Sequence, residues 1–321
     1  MSAREETARL VGALLDGALD EAEALRTLEA LDDANLTPAQ LAGGVDAVMA
    51  RTVPFPAFPE AIDCCGTGGD GKQTLNISTA AALVVAGAGV AVAKHGNRAV
   101  TSQSGSADVL DALGVATQLS PERAAGVLEQ VGICFLFAPN FHPGFARIAP
   151  LRKRLGKRTI FNLLGPLCNP AQVKRQLIGV FAAERCALVA ETARLIGRER
   201  VMVVHGEGSD EIAISGTTQV CELREGIVIP YVIDPADGGV ERHAAAGLAG
   251  GDAKFNAKAL RDVLDGESST YADAVQLNAA AALFLAGRAQ DLGHGAALAQ
   301  EVIASGAAHA KLGELIEASH G

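Results

Sequence analysis

Tryptophan is absent from this 321-residue chain, methionine occurs three times, and aromatic residues make up only 4%. A core of large aromatic side chains is therefore excluded. The 36 glycines and abundant alanine point instead to closely packed helices. Six cysteines (Cys64, Cys65, Cys134, Cys168, Cys186, Cys221) contain no CxxC metal pair, so they read as scattered reduced thiols of a cytosolic protein. Positive charge is short, at 27 Lys and Arg against 37 Asp and Glu. The formal charge of -10 argues against a nonspecific nucleic-acid binder or an anionic-membrane binder. The first residues, Met1-Ser2-Ala3-Arg4-Glu5-Glu6, have no signal-peptide pattern. The apolar stretch 80–92 is broken by glycines and is too short to span a bilayer, so no membrane association is expected. No HExxH or GxxxxGK[ST] motif is present, and no Ser-His-Asp or Cys-His arrangement emerges. The chemistry therefore points to positioning and charge stabilisation rather than covalent catalysis.

What is present begins with 49% apolar and 20% charged residues, enough for a large domain and a smaller one. Residues 5–15 and 21–31 carry apolar positions at three-and-four spacing and read as helices. Thr37 and Pro38 mark a third helix start as N-cap and first helical residue. Three prolines in 53–59 mark an extended linker, so residues 1–58 form a helical domain. Beyond it, strands at 90–93, 133–137, 176–180 and 200–204 alternate with helices at 106–113, 121–130, 142–158 and 182–196. Short strands at 218–223 and 226–229 precede helices at 256–264, 271–288, 295–305 and 307–316. The segment 162–170 reads as irregular. This alternation predicts an α/β domain over 59–321 with a central, mostly parallel sheet.

Four polar segments, 66–79, 94–106, 138–152 and 205–211, follow or abut predicted strands. The block Asp63-Cys64-Cys65-Gly66-Thr67-Gly68-Gly69-Asp70-Gly71 sheds side chains as backbone does when it turns tightly against a ligand. An anion cradle beside two carboxylates makes sense if a metal bridges them or if the acids hold hydroxyls. Asn76-Ile77-Ser78-Thr79 opens a helix, with Ser78 or Thr79 holding its N-terminus, and suits a diphosphate with a hydroxyl on a metal. Lys94-His95-Gly96-Asn97-Arg98 reads as a phosphate clamp, with Ser102, Ser104 and Ser106 adding hydroxyls. Asp210-Glu211 is a candidate hard-cation pair. Arg147, Arg152, Lys153, Arg154, Lys157 and Arg158 cluster on a basic helix. At least one arginine there is expected to face inward toward a carboxylate substrate.

Together these residues resemble the anthranilate phosphoribosyltransferase family. The match runs through Gly66–Asp70, Asn76–Thr79, Lys94–Arg98 to Asp108, Arg158–Asn162 to Pro170, His205-Gly206, Asp210-Glu211 and the region 250–256. It spans about residues 5–317; the GTGGD loop alone would also fit the related pyrimidine nucleoside phosphorylases. The resemblance implies a nucleoside phosphorylase/phosphoribosyltransferase type of fold, its helical domain completed by mid-chain helices at about 155–190. It also implies a homodimer through that domain. The implied activity is Mg²⁺-dependent transfer of a 5-phosphoribosyl group from 5-phospho-α-D-ribose 1-diphosphate to the amine of anthranilate, with two ions per monomer. Gly66 would line both substrates, and Gly69, Asp70 and Thr74 would hold the donor. Asn76, Ile77, Ser78 and Thr79 would grip its diphosphate. Lys94, His95, Gly96, Asn97, Arg98, Ala99, Val100, Thr101 and Ser102 would wrap it, and Ser106 would complete its site. Asn97, Pro139, His142 and Arg152 would meet anthranilate, and Ser78, Asp210 and Glu211 would carry magnesium. Lys94 and Ser78 would stabilise the leaving diphosphate; no general base is implied. Two departures from the family pattern are Phe145-Ala146-Arg147 at the channel mouth, which spares Arg152, and Gln103, expected to matter little.

Overall fold

The computed structural model describes residues 1–99 and 103–321. Val100, Thr101 and Ser102 of the expected donor loop lie outside the described residues. The chain opens with α1 (Ala3–Asp16), α2 (Glu21–Ala30) and α3 (Pro38–Met49). Each starts on a reciprocal capping box, Ser2 with Glu5, Asp20 with Glu23 and Thr37 with Gln40. The α/β part then runs β1 (Ile62–Gly66), α4 (Ile77–Gly87), β2 (Val92–Gly96), α5 (Ser106–Leu113), α6 (Pro121–Val131) and β3 (Ile133–Phe137). It continues through α7 (Ala138–Phe141), α8 (Gly144–Leu155), α9 (Phe161–Leu167), β4 (Arg175–Gly179), α10 (Arg185–Leu195) and β5 (Arg200–Gly206). The chain ends with β6 (Thr218–Arg224), β7 (Ile227–Ile233), α11 (Ala253–Leu264), α12 (Thr270–Leu285), α13 (Leu292–Ala304) and α14 (Ala307–His320).

One seven-stranded sheet has the order β3-β2-β1-β4-β5-β6-β7. The first five strands are parallel, and β6 and β7 add antiparallel. Strand alternation sends Leu177, Met202 and Val204 into one apolar cluster with α4, α5, α6 and α11–α14. Their neighbours Ile178, Val201 and Val203 join a second cluster with α1–α3 and α8–α10. The alanine and glycine content has a direct cause in the first cluster. Ala80, Ala81, Ala82, Ala279, Ala281 and Ala282 are all buried there. A Cβ on Gly295 would lie 2.6 Å from the Ala280 carbonyl oxygen, so α12 and α13 cross backbone to backbone.

Several boundaries differ from expectation. Residues 63–66 are strand rather than loop: Ile62 to Gly66 pair in register with Arg175 to Gly179. The expected strand at 90–93 is displaced to Val92–Gly96, because Lys94 and His95 pair with Phe135 and Leu136. The expected irregular stretch at 162–170 holds α9, with Pro166 in its last turn. Strand β7 runs to Ile233 and carries Pro230, tolerated because β7 is an edge strand. Neither Ser78 nor Thr79 caps α4; its N-cap is Asn76, whose side chain makes no capping bond. Ser106 is likewise inside α5, whose N-cap is Gly105.

Candidate active site

Strand order reverses beside β1: β2 and β3 lie on one side, β4 and β5 on the other. In open α/β sheets this switch point leaves a crevice at the carboxyl ends of the strands. Gly66 and Gly179 face each other there as the last residues of β1 and β4. Both must lack a Cβ, because Asp210 lies across them. A Cβ at Gly66 would meet Asp210 Oδ2 at 2.2 Å, and one at Gly179 would meet the Asp210 carbonyl oxygen at 1.5 Å. The loop after β1 turns through Gly68, Gly69 and Gly71 at φ of 62°, 74° and 75°. The Gly68 N–H donates to Asp210 Oδ2 at 2.7 Å. The Gly69 carbonyl accepts from Arg158 Nη2 at 2.5 Å, and Arg158 stacks 4.0 Å over the Phe181 ring. Arg158 thus ties the glycine loop to the segment after α8.

Glu211 accepts the Ser78 N–H of α4 at 3.2 Å. Desolvation in the crevice, and then the Asp70 charge, pushes the Asp210 carboxyl up to about 6. Desolvation and the Asp210 charge push Glu211 up to about 8, partly offset by Lys94. Two adjacent carboxylates that resist ionising lack positive charge. That is the donor set a hard divalent cation fits, using a few carboxylates and completing its shell with water or phosphate oxygens. Among the described residues no group of three or more His, Cys, Asp or Glu forms a protein-only cage.

Lys94 is buried, and its Nζ donates to the Cys64 carbonyl at 2.6 Å and to Ser78 Oγ at 3.3 Å. It therefore sits at the foot of α4, beside the acids. Arg98 is engaged differently from a free clamp: its guanidinium bridges Asp108 Oδ1 at 2.8 Å and Asp111 Oδ2 at 2.6 Å. Asp108 Oδ2 also accepts the N–H groups of Ala99 and Gly105, so one carboxylate pins both ends of the loop after β2. Thr79 Oγ1 donates to Ser106 Oγ at 3.1 Å, joining the starts of α4 and α5. Thr74 bridges to Ala249, Asp70 accepts the Lys72 N–H, and Asn97 is exposed with its Oδ1 on the Arg98 N–H. Gln103 Nε2 donates to Gln73 Oε1 at 2.7 Å, linking the two loops.

A second, more apolar group of side chains begins at His95, next to Lys94 on β2. The His95 and His142 rings meet edge-on at 5.2 Å. Phe145 packs on His142 and edge-on to Phe161. Burial pushes His95 down to about 3 and His142 down to about 4, so both rings are neutral at neutral pH. The Nε2 atoms of both are buried and meet no hydrogen-bond partner among the described residues. Arg152 lies 5.9 Å from the Phe161 ring centroid, and burial alone lowers its pKa. No acidic partner for it occurs among the described residues. Pro139 is exposed on α7 at the end of β3, and Arg147 reaches away to the Asp16 carbonyl.

Three contributors carry no signal of their role in the sequence. Arg158 reads there as part of a basic cluster and as the first residue of a matching stretch, with no role assigned to it. Asn256 and Tyr271 lie far along the chain and hold Asn76 by hydrogen bonds. Asp63 is an internal strut rather than a ligand group: its carboxylate accepts the His95 N–H at 3.1 Å and Asn169 Nδ2 at 2.9 Å.

Fold and crevice together define a glycosyl-transfer protein of the phosphoribosyltransferase type, and a model of the glycosyl transferase family, a/b domain, matches residues 59–309. The chain is 47% identical over 317 residues to the anthranilate phosphoribosyltransferase of Rhodopseudomonas palustris (strain TIE-1), covering 98% of this chain and 94% of that one. It is 49% identical over 320 residues to that of Anaeromyxobacter sp. (strain K), covering 98% and 94%. The anthranilate phosphoribosyltransferase structure from Thermus thermophilus superposes with a TM-score of 0.94 at 42% identity, covering 99% of this chain and 96% of that one. The Saccharomyces cerevisiae structure in complex with PRPP and Mg gives 0.90 at 29% identity, covering 100% and 94%. The chain belongs to the anthranilate phosphoribosyltransferase family.

Proposed function

We propose that this protein transfers the 5-phosphoribosyl group of 5-phospho-α-D-ribose 1-diphosphate to the amine of anthranilate, in tryptophan biosynthesis. The observation that carries the reading is the juxtaposition of two unlike sites at one switch point. An acid pair and the start of α4 lie next to a cluster of neutral histidine and phenylalanine rings that ends at Arg152, a cation with no acidic partner among the described residues.

The diphosphate would lie at the N-terminus of α4, where main-chain N–H groups and the helix dipole favour an anion, with Lys94 beneath. Asp210, Glu211 and Ser78 would hold Mg²⁺, two ions per monomer, supplying Lewis-acid neutralisation of the diphosphate when bound. Anthranilate's carboxylate would pair with Arg152. Its ring would lie among Phe145, Phe161, His95 and His142. Gly66 and Asn97 would stand between the two substrates, and Pro139 would line the anthranilate channel with His142. The C1–oxygen bond to diphosphate breaks, the amine nitrogen bonds to C1 and loses one proton. An aromatic amine is already nucleophilic, so the residues orient it and stabilise charge rather than activate it. Residues 1–58 with the mid-chain helices would act as a separate helical domain and as the face of a cytoplasmic homodimer. Among the described residues no helix is long and apolar enough to cross a membrane.

The test is diphosphate release with donor, anthranilate and Mg²⁺, and its loss on chelation. No release refutes the reading. Phosphorolysis of a pyrimidine nucleoside by inorganic phosphate, without anthranilate turnover, would replace it with a phosphorylase.

A further inference from the structure

Asn76 is the N-cap of α4, with φ of -78° and ψ of 75°, yet its side chain makes no capping bond. Asparagine is among the strongest N-cap residues because its oxygen accepts an N–H from the second or third helical residue. Here those residues are Ser78 and Thr79, at the helix start expected to take the diphosphate. A chain of three hydrogen bonds draws the Asn76 side chain elsewhere. The Gly251 N–H donates to Asn256 Oδ1 at 2.8 Å. A main-chain N–H can only donate, so the Asn256 amide presents its Nδ2 to Asn76, donating to Oδ1 at 2.9 Å. The Asn76 Nδ2 then faces the Ser104 carbonyl, a pure acceptor, at 3.3 Å. Main-chain groups at both ends fix the polarity of the whole chain.

Asn256 is buried, 2% exposed, so this bond does not exchange freely with water. Tyr271 Oη donates to the Asn76 carbonyl at 3.0 Å and holds its main chain from α12. The strap before α11 is fixed to the same segment: the Leu75 N–H donates to the Leu248 carbonyl and the Gly250 N–H to the Gln73 carbonyl. Asn256 thus reaches Asn76 from a rigid element.

We propose that Asn256 is a positioning residue for the donor's diphosphate: it holds the Asn76 side chain out of the first turn of α4 and keeps the Thr79 N–H of that turn open to the anion, beside the Ser78 N–H held by Glu211. The proposal rests on the functional reading above and adds a residue that touches neither substrate. Without Asn256 the Asn76 oxygen loses its donor, swings onto the Thr79 N–H and competes with the ligand.

The test is calorimetric titration of 5-phospho-α-D-ribose 1-diphosphate with Mg²⁺ into wild type, Asn256→Leu, Asn76→Ala and the double variant, with steady-state KM values for both substrates. Leucine keeps the branched heavy-atom skeleton of asparagine without its amide, at a somewhat larger volume. Asn256→Leu is expected to weaken donor binding about fivefold or more, the worth of an N-cap. Anthranilate KM stays within about twofold, a change too small to mark loss of a contact. In the Asn76→Ala background the Asn256 change adds less than about twofold, because the competing oxygen is gone. Equal losses in both backgrounds, equal losses for both substrates, or wild-type donor affinity in Asn256→Leu overturn the proposal. If thermal denaturation shows Asn256→Leu unfolded, Asn256→Ala carries the same comparison. Wild type that fails to bind the donor refutes the functional reading and this proposal together, whereas wild-type binding with unaffected Asn256 variants refutes the proposal alone.

Discussion

Gly66→Ala separates the placement of one carboxylate from the integrity of the fold. The new Cβ would stand 2.2 Å from Asp210 Oδ2 and 2.9 Å from Cγ, both far inside contact distance. The obstructing atoms belong to a side chain, so the cheapest relief is rotation of the Asp210 carboxylate rather than movement of β1. Rotation breaks the 2.7 Å bond from the Gly68 N–H. A hydrogen bond to a charged acceptor contributes about 1.5–3 kcal/mol, so a cation that needs Asp210 in place should bind roughly 10- to 100-fold more weakly. The assay is the Mg²⁺ concentration giving half-maximal diphosphate release at saturating donor and anthranilate. The urea midpoint of the apo protein should shift little, because the side chain yields. Gly179→Ala provides the contrast: its Cβ would lie 1.5 Å from the Asp210 main-chain oxygen, which cannot rotate away. That variant should lose about 1–3 kcal/mol of stability or fail to fold. A Mg²⁺ midpoint for Gly66→Ala within twofold of wild type, with normal folding, would show that Asp210 does not hold the cation.

Arg152→Ala should raise the anthranilate KM about 10- to 100-fold, the worth of one charged pair, and leave the donor KM within twofold; equal losses would make Arg152 structural. Acid should destabilise the fold through its buried histidines. His95 and His142 are pushed below 6.5 to about 3 and about 4 by burial, so the unfolded chain takes up protons first. Their contribution is intact above pH 6.5 and is lost as pH falls toward 4, reaching roughly 2 kcal/mol per residue at pH 5. Urea unfolding of His142→Gln at pH 7 and pH 5 should show a stability difference smaller by about that amount, and an unchanged difference refutes the assignment. Asn169→Ala removes a 2.9 Å donor from the fully buried Asp63, and should cost about 2–4 kcal/mol in urea unfolding. A loss below about 0.5 kcal/mol would mean that Asp63 is neutral or relaxes to another donor.

The parallel sheet and the identity of the polar loops are legible in the sequence because the signals are local. Glycines and hydroxyls follow apolar strands, and Asp210-Glu211 stands out after a glycine turn. Strand ends are less legible. Lys94 and His95 read as loop residues because charged and titratable side chains seldom lie inside a strand. Here Lys94 satisfies its ammonium on Cys64 and Ser78, and the Asp63 carboxylate receives the His95 N–H. Helix α9 is hidden because Pro166 and Gly165 argue against helix, while burial of Phe161, Leu163, Leu164 and Leu167 in the second cluster outweighs that local cost. The Asn256–Asn76 bond spans 180 positions and leaves no periodicity or motif that names its partner.

The ties that hold these loops are not all long-range. Arg158 fastens the glycine loop and Asn256 with Tyr271 the start of α4 from elements far along the chain, while Asp108 holds the loop after β2 from the helix that directly follows it. Glycines chosen for close approach lack side chains of their own to fix their conformation, so their order has to come from outside the loop. The acid pair follows the same logic. Gly68 and Ser78 donate to Asp210 and Glu211, yet desolvation, with the Asp70 charge acting on Asp210 and the Asp210 charge on Glu211, still raises both carboxyls. The main chain therefore orients the two acids without satisfying their charge, and the unsatisfied part would favour the cation proposed to arrive with the diphosphate.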